Sequence, residues 1–246
     1  MRKDNNGAPG HPRLSAGADE AVEPARSGAA SGLVAYFGYG SLVNRATLRT
    51  GIVAAHRARL KGWRRTWRSR PDGGPSPART ASAGVTPSFL SAGRAADAAI
   101  DGLLIVDYAH NLAAVDAREF HYHRRRISLD DLEFAELSGI AGSGLHETHG
   151  PGSGIALYVY EGRTDLPHAP GPAPILRSYL DAVMQGFLRE FGEAGLHRFV
   201  AETGAFHTPI HEDRDAPLYP RAVTLSADEA DLFEAALATV ARKGGN

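Results

Sequence analysis

The sequence predicts an α+β domain. Three observations carry this. Segments of strand character outnumber helical ones. They are not regularly interleaved with long helices, which argues against a doubly wound parallel sheet. Two strongly amphipathic helical stretches stand apart, in the C-terminal third of the chain.

Residues 1–32 are rich in Gly, Ala, Pro, Ser and charge and poor in large apolar residues. Such a segment cannot bury enough surface to offset its ordering entropy, so it reads as a disordered tail. The folded domain is expected to occupy 33–246. Val34 to Phe37 is apolar throughout and reads as a buried strand, running into a turn built on Gly38 and Gly40. Asn44 to Thr50 reads as a short helix and Ala58 to Trp67 as a strand. Pro71 to Pro77, with its prolines and glycines, is a loop. Gly84 to Thr86 reads as a short strand, and Ala99 to Val106 as a clearer one with the buried run Gly102-Leu103-Leu104-Ile105-Val106. His110 to Arg118 is a short helix, followed by a strand at Tyr122 to Ile127. Ile155 to Tyr160 has the Tyr, Val and Tyr content of a strand. Ile175, Leu176, Tyr179, Leu180, Val183, Met184, Phe187, Leu188 and Phe191 recur at helical spacing on one stripe. A last helix starts at Ser226, where Ser226-Ala227-Asp228-Glu229 has the capping-box pattern. Leu232, Phe233, Ala236, Leu237 and Val240 form its apolar face.

The chain has 246 residues, a net charge of −1 and no cysteine. That length can bury a sizeable core. The balanced charge offers no global field for nucleic acid or a membrane surface. No apolar stretch is long enough for a transmembrane helix, and the N-terminus lacks an apolar signal core. The missing cysteines exclude disulfides, a thiol nucleophile and Cys-based zinc, in keeping with a cytoplasmic setting.

Chemistry concentrates in a few places. Glycines at 38 and 40 let backbone N–H groups converge without side chains in the way, which makes a concave site for an anion such as a carboxylate. Glu119 follows a short helix and is flanked by Arg118, Phe120 and His121. Aromatic surroundings raise a glutamate pKa, whereas Arg118 or Arg124 would lower it. On residue type alone, a surface salt-bridge partner for those arginines is the favoured reading of Glu119. Tyr122 and Tyr179 can orient a carboxylate or pack in the core.

Tyr39-Gly40-Ser41-Leu42-Val43-Asn44 resembles the Y-G-S-L-x-N signature that opens the γ-glutamylcyclotransferase-like family. Arg59-Leu60-Lys61-Gly62-Trp63-Arg64-Arg65 is similar to that family's second strand, and Asp116 through Arg124 resembles the segment with its catalytic glutamate. Pro174 through Gly186, containing Tyr179, resembles a later helix start that supplies a substrate-contacting tyrosine. The resemblance implies a small mixed β-barrel-like sheet flanked by helices. It also implies a cofactor-free cyclotransferase that converts a γ-glutamyl compound to 5-oxoproline. Glu119 would be the acid/base, and Tyr39, Gly40, Ser41 and Leu42 would cradle the substrate, with Tyr122 and Tyr179 as further contacts. The leaving group and the oligomeric state do not follow from it.

Other features are read differently. His121 and His123 would share a strand face, a usable ligand spacing. His146-Glu147-Thr148-His149 lacks the spacing of the H-E-x-x-H zinc pattern, so no metal is expected. The run His56 to Arg70, with Trp63 and Trp67, has the basic and aromatic content of a single-strand nucleic-acid surface. It equally suits a surface strand balanced by acids such as Asp130, Asp131 and Glu133, which the near-zero net charge favours. His211 to Arg221 is dense in charge and proline and reads as a lid or an inter-element loop. A non-catalytic binding module and a nucleic-acid-binding protein are the alternatives to an enzyme.

Overall fold

The computed structural model describes residues 32–48, 51–69, 78–136, 155–166 and 173–241. The expected tail at 1–31, the Pro71–Pro77 loop and His146–His149 lie outside the described residues. So do residues 49, 50 and 70.

The centre of the molecule is a seven-stranded mixed sheet. Strand β1 (Leu33–Gly38) is buried along nearly its whole length, as its unbroken apolar sequence requires of a central strand. It pairs antiparallel with β3 (Ser88–Tyr108) and parallel with β6 (Ala156–Gly162). Strand β2 (Ala54–Ser69) pairs with β3 over almost all its length, with a register shift between Lys61 and Trp63. Strands β4 (Tyr122–Ile127) and β5 (Leu132–Phe134) end the path β4-β6-β1-β3-β2-β5. A short strand, β8 (Thr203–Gly204), joins β2 in parallel. Among the described residues the two ends of the path do not pair with each other, so the sheet they form is not closed into a barrel.

Helices α1 (Ala78–Ser82) and α2 (Leu112–Arg118) are short. The long helix α3 (Arg177–Glu202) runs on past the predicted stripe, with a break at Gly192 (φ 66°, ψ −173°). Ile175 and Leu176, read as helical from their spacing, instead form β7 (Ile175–Leu176), which pairs in parallel with β9 (Ile210–His211). Helix α4 (Ala227–Ala241) starts where expected. The Ser226 N–H donates to Glu229 Oε2 (2.9 Å) and the Glu229 N–H to Ser226 Oγ (3.1 Å), a reciprocal capping box.

Two further readings are corrected. Gly84 to Thr86 is not a strand: it is the turn that closes α1, with the Val85 N–H donating to Thr80 O at 3.0 Å. Within the predicted Asn44–Thr50 helix the described residues form only a single 3₁₀ turn, Arg45–Thr47, preceded by a separate 3₁₀ turn, Ser41–Val43. Asn44 separates them with extended dihedrals and caps the second through its side chain, which accepts the Ala46 N–H at 3.1 Å.

That second role ties the turn to the fold. Asn44 is buried, and its Nδ2 donates to Ala182 O (2.9 Å) and Gln185 Oε1 (3.1 Å) on α3. Helix and turn meet this closely because residue 186 is glycine. A Cβ there would lie 2.6 Å from the Asn44 backbone nitrogen.

Candidate active site

The turn after β1 is anchored from beneath by Arg65. This arginine belongs to the basic run but is fully buried. Its Nη1 donates to Tyr39 O (3.0 Å) and Asp101 O (3.1 Å), and its Nε to Thr203 Oγ1 (2.9 Å). The guanidinium lies 4.7 Å from the ring centres of both Phe187 and Phe199. Burial brings its pKa down to about 10, against the pull of Asp101 and Glu202.

Above Arg65, the Val43 N–H donates to Gly40 O (2.9 Å) and the Asn44 N–H to Ser41 O (3.1 Å). The N–H groups that open this single turn, on Ser41 and Leu42, are left without intrahelical partners. Gly40 has φ −126°, so a left-handed backbone is not what reserves the position for glycine. Space is: a Cβ there would lie 3.2 Å from Tyr179 Oη and 3.4 Å from Leu90 Cδ2.

Glu119 sits at the C-terminal end of α2, where its N–H donates to Val115 O at 2.9 Å. Its side chain is 14% exposed and meets Arg118 Nε at 3.0 Å. Arg118 also donates from Nη2 to Ser41 Oγ (3.1 Å), so one guanidinium links the carboxylate to the turn. Burial raises the Glu119 pKa above the usual carboxylate range, and Arg118 and Arg221 oppose that rise. Arg124 does not touch Glu119; it pairs with Asp116.

Tyrosines surround this carboxylate. Tyr39 Oη donates to Tyr160 O (2.6 Å) and accepts the Ala92 N–H (3.2 Å). Tyr122 Oη donates to Leu90 O (2.8 Å), and Tyr160 Oη to Asp116 Oδ1 (2.7 Å). Burial raises the pKa of Tyr39, Tyr160 and Tyr179, and the charge of Glu119 adds to the rise in each. All three therefore remain protonated hydrogen-bond donors at neutral pH.

All seven residues singled out from the sequence, Tyr39, Gly40, Ser41, Leu42, Glu119, Tyr122 and Tyr179, line one inner cavity of about 30 Å³. Phe37, Leu90 and Tyr160 complete it. An outer cleft of about 440 Å³ shares Ser41, Glu119, Tyr122 and Tyr179 with it. Leu218 to Arg221, the end of the charged, proline-rich segment, line the outer cleft.

Sequence reasoning did not single out Tyr160, Tyr219, Arg221 or the role of Arg65. The Tyr-Val-Tyr content marked a strand without saying which face its rings take. Arg65 was hidden in a run of basic residues whose acidic partners are also other than expected. Arg57 pairs with Glu136, Arg59 with Asp101 and Glu202, and Arg64 with Asp97, rather than with Asp130, Asp131 or Glu133. Trp63 and Trp67 are buried in the core, so neither presents a face for base stacking. His121 lies in the turn ahead of β4 and lines the outer cleft, while His123 faces Asp165 at 3.0 Å. Among the described residues no three His, Asp or Glu side chains converge on a metal-sized site, and no helix is long and apolar enough to cross a membrane.

No family model and no curated protein matches this chain. Among solved structures it is similar to a gamma-glutamyl cyclotransferase, at 13% identity and a TM-score of 0.47, over 83% of this chain and 99% of the other. It is also similar to an uncharacterized protein from Homo sapiens (15% identity, TM-score 0.44, 82% and 98% covered). A third is a glutathione-specific gamma-glutamyl cyclotransferase from yeast (13%, 0.40, 84% and 96%).

Proposed function

We propose that this protein is a cyclotransferase that converts a γ-glutamyl compound to 5-oxoproline and a free amine. The observation that carries the reading is the seam between the two cavities. There a largely buried carboxylate, Glu119, lines the same cavity as a glycine turn whose opening N–H groups lack intrahelical partners, together with Tyr39, Tyr122, Tyr160 and Tyr179.

The chemistry matches these parts. A γ-glutamyl substrate carries its own nucleophile, the α-amino group. Glu119 takes a proton from the ammonium, and the amine attacks the γ-carbonyl carbon to close a five-membered ring. The bond from that carbon to the leaving nitrogen then breaks as Glu119 returns the proton to the departing amine, and the ring nitrogen, on becoming an amide, gives up its second proton by way of Glu119 to the same amine, which leaves as an ammonium. No water is consumed and no nucleophilic side chain is needed. Ring closure within one bound molecule gains an effective concentration on the order of 10⁵ M or more. A carboxylate whose pKa burial has raised above its ordinary value is suited to serve as base and then as acid. The Ser41 and Leu42 N–H groups would hold the substrate carboxylate or the developing oxyanion. The inner cavity alone is about the size of one water molecule, so the glutamyl head would lie across its mouth, at the four shared residues.

The test is 5-oxoproline release from a panel of γ-glutamyl amino acids, γ-glutamylamines and glutathione, with wild type and Glu119→Gln in parallel. Release by wild type and its loss in a folded variant is the expected result. Binding without release would instead mark a binding module on this fold.

A further inference from the structure

We propose that the outer cleft selects a leaving group that joins an aromatic side chain to a free carboxylate, with Arg221 reading the carboxylate. The preferred substrates are then γ-glutamyl derivatives of aromatic amino acids. This rests on the γ-glutamyl reading above and deepens it.

The first observation is the cleft wall. The outer cleft is lined by the rings of Phe89, Phe120, His121, Tyr122, Tyr179 and Tyr219. These rings already hold one another in fixed geometry. Phe89 meets Tyr122 edge-on at 5.3 Å and stacks with His121 at 6.3 Å, and Tyr179 meets Tyr219 edge-on at 5.0 Å. A preset aromatic wall gains from a further ring through edge and offset contacts, beyond the gain from area alone. At about 440 Å³ the cleft also far exceeds what a small leaving group such as alanine would fill.

The second observation is Arg221. The other arginines around this segment are matched: Arg177 with Glu212, Arg214 with Asp181, and Arg118 with Glu119. Arg221 is half-buried and, among the described residues, has no carboxylate within ion-pair distance. It is nevertheless held in place. Its Nε donates to Tyr219 Oη (2.9 Å), and the guanidinium lies 5.2 Å over the Tyr219 ring. A guanidinium oriented through Nε keeps its Nη donors for a carboxylate. Tyr39, Gly40 and Leu42 of the turn assigned to the glutamyl head line the inner cavity only, whereas Arg221 stands on the wall of the outer cleft. An amino-acid leaving group brings a second carboxylate to that wall, and a simple amine does not.

The experiment compares kcat/KM for 5-oxoproline release from γ-glutamyl-phenylalanine, γ-glutamyl-alanine and γ-glutamyl-phenethylamine. Wild type is expected to favour phenylalanine over alanine by about 10-fold or more, the range for burying one such ring. It is expected to favour phenylalanine over phenethylamine by about 10-fold, and Arg221→Gln should bring that second ratio close to 1. A ratio cancels the influence of Arg221 on Glu119, which is common to both substrates. Arg221→Lys, which keeps the charge without the fork, should fall between. Alanine equal to phenylalanine in wild type would overturn the aromatic assignment without any variant. A phenylalanine-to-phenethylamine ratio that persists in Arg221→Gln would overturn the carboxylate assignment. Release from none of the three, or from other γ-glutamyl compounds only, would end the inference. Only silence across the whole wider panel would reject the parent reading as well.

Discussion

Arg65 Nη1 donates to the backbone carbonyl of Tyr39 at 3.0 Å, so a buried cation sets the orientation of the turn that opens the site. In a trans peptide the C=O and the following N–H point in opposite directions. Fixing the Tyr39 carbonyl toward Arg65 therefore turns the Gly40 N–H away from it. The arrangement is expensive, because a fully buried guanidinium is bound here to neutral acceptors and two phenyl faces rather than directly to a carboxylate.

Arg65→Met is accordingly expected to leave Tyr39 O, Asp101 O and Thr203 Oγ1 short of a donor. The cost is about 1–3 kcal/mol for each acceptor left dry. Arg65→Lys should recover part of it. In whatever fraction stays folded, KM should rise more than kcat falls, because the turn and not the carboxylate has been disturbed. Thermal melts and steady-state kinetics on the same preparation check this, and a turnover loss with KM unchanged would contradict it.

Glu119→Gln keeps size and loses the proton carrier. Turnover should drop by roughly 10²–10⁴-fold with little change in substrate affinity. Stability gives an independent reading. The folded-state pKa of Glu119 is raised, so the native protein holds this proton more tightly than the unfolded chain does. That contribution is full at low pH and is lost as pH rises through the raised pKa. Relative to wild type, the Tm of Glu119→Gln should therefore increase with pH across that window. A lower relative Tm at neutral pH would mean that the contact with Arg118 outweighs the cost of burying the charge.

The pH profile of kcat/KM should show an acid limb above the ordinary glutamate value of about 4.3. Arg221 is among the cations that oppose the rise of the Glu119 pKa. Arg221→Gln should move the acid limb to higher pH, and by the same amount with amine and amino-acid leaving groups, because kcat/KM reports the free enzyme. An unmoved limb would separate Arg221 from the titrating group.

Gly40→Ala should weaken binding while sparing the fold. The backbone at Gly40 suits any residue, but a methyl would press on Tyr179 Oη at 3.2 Å, inside the cavity itself. Tyr179→Phe removes the hydroxyl that the methyl meets, so the double variant should regain part of the lost affinity. Isothermal titration with a γ-glutamyl ligand reads this directly, and equal losses in both backgrounds would place the conflict elsewhere.

What the sequence determined by itself is what neighbours along the chain decide. The Ser226 capping box, the apolar β1 strand and the short helix leading to Glu119 are local, and each formed where it was read. The glycine turn too was legible, because the Y-G-S-L pattern and its spacing lie within a few residues. Local pattern failed where a distant partner outweighed it. Ile175 and Leu176 lie on a helical stripe, yet pair as a strand with Ile210 and His211. Arg65 reads as one more surface arginine until Tyr39, 26 residues away, and Thr203, 138 residues away, claim its donors. Tyr160 enters the site because its carbonyl accepts from Tyr39 across 121 residues. Which ring faces a cavity, and which arginine is left unmatched, depends on contacts between remote segments. Those contacts come into being only when β1, β6, α3 and the 218–221 wall pack together, so tertiary structure alone assigned Arg65 and Arg221 their places.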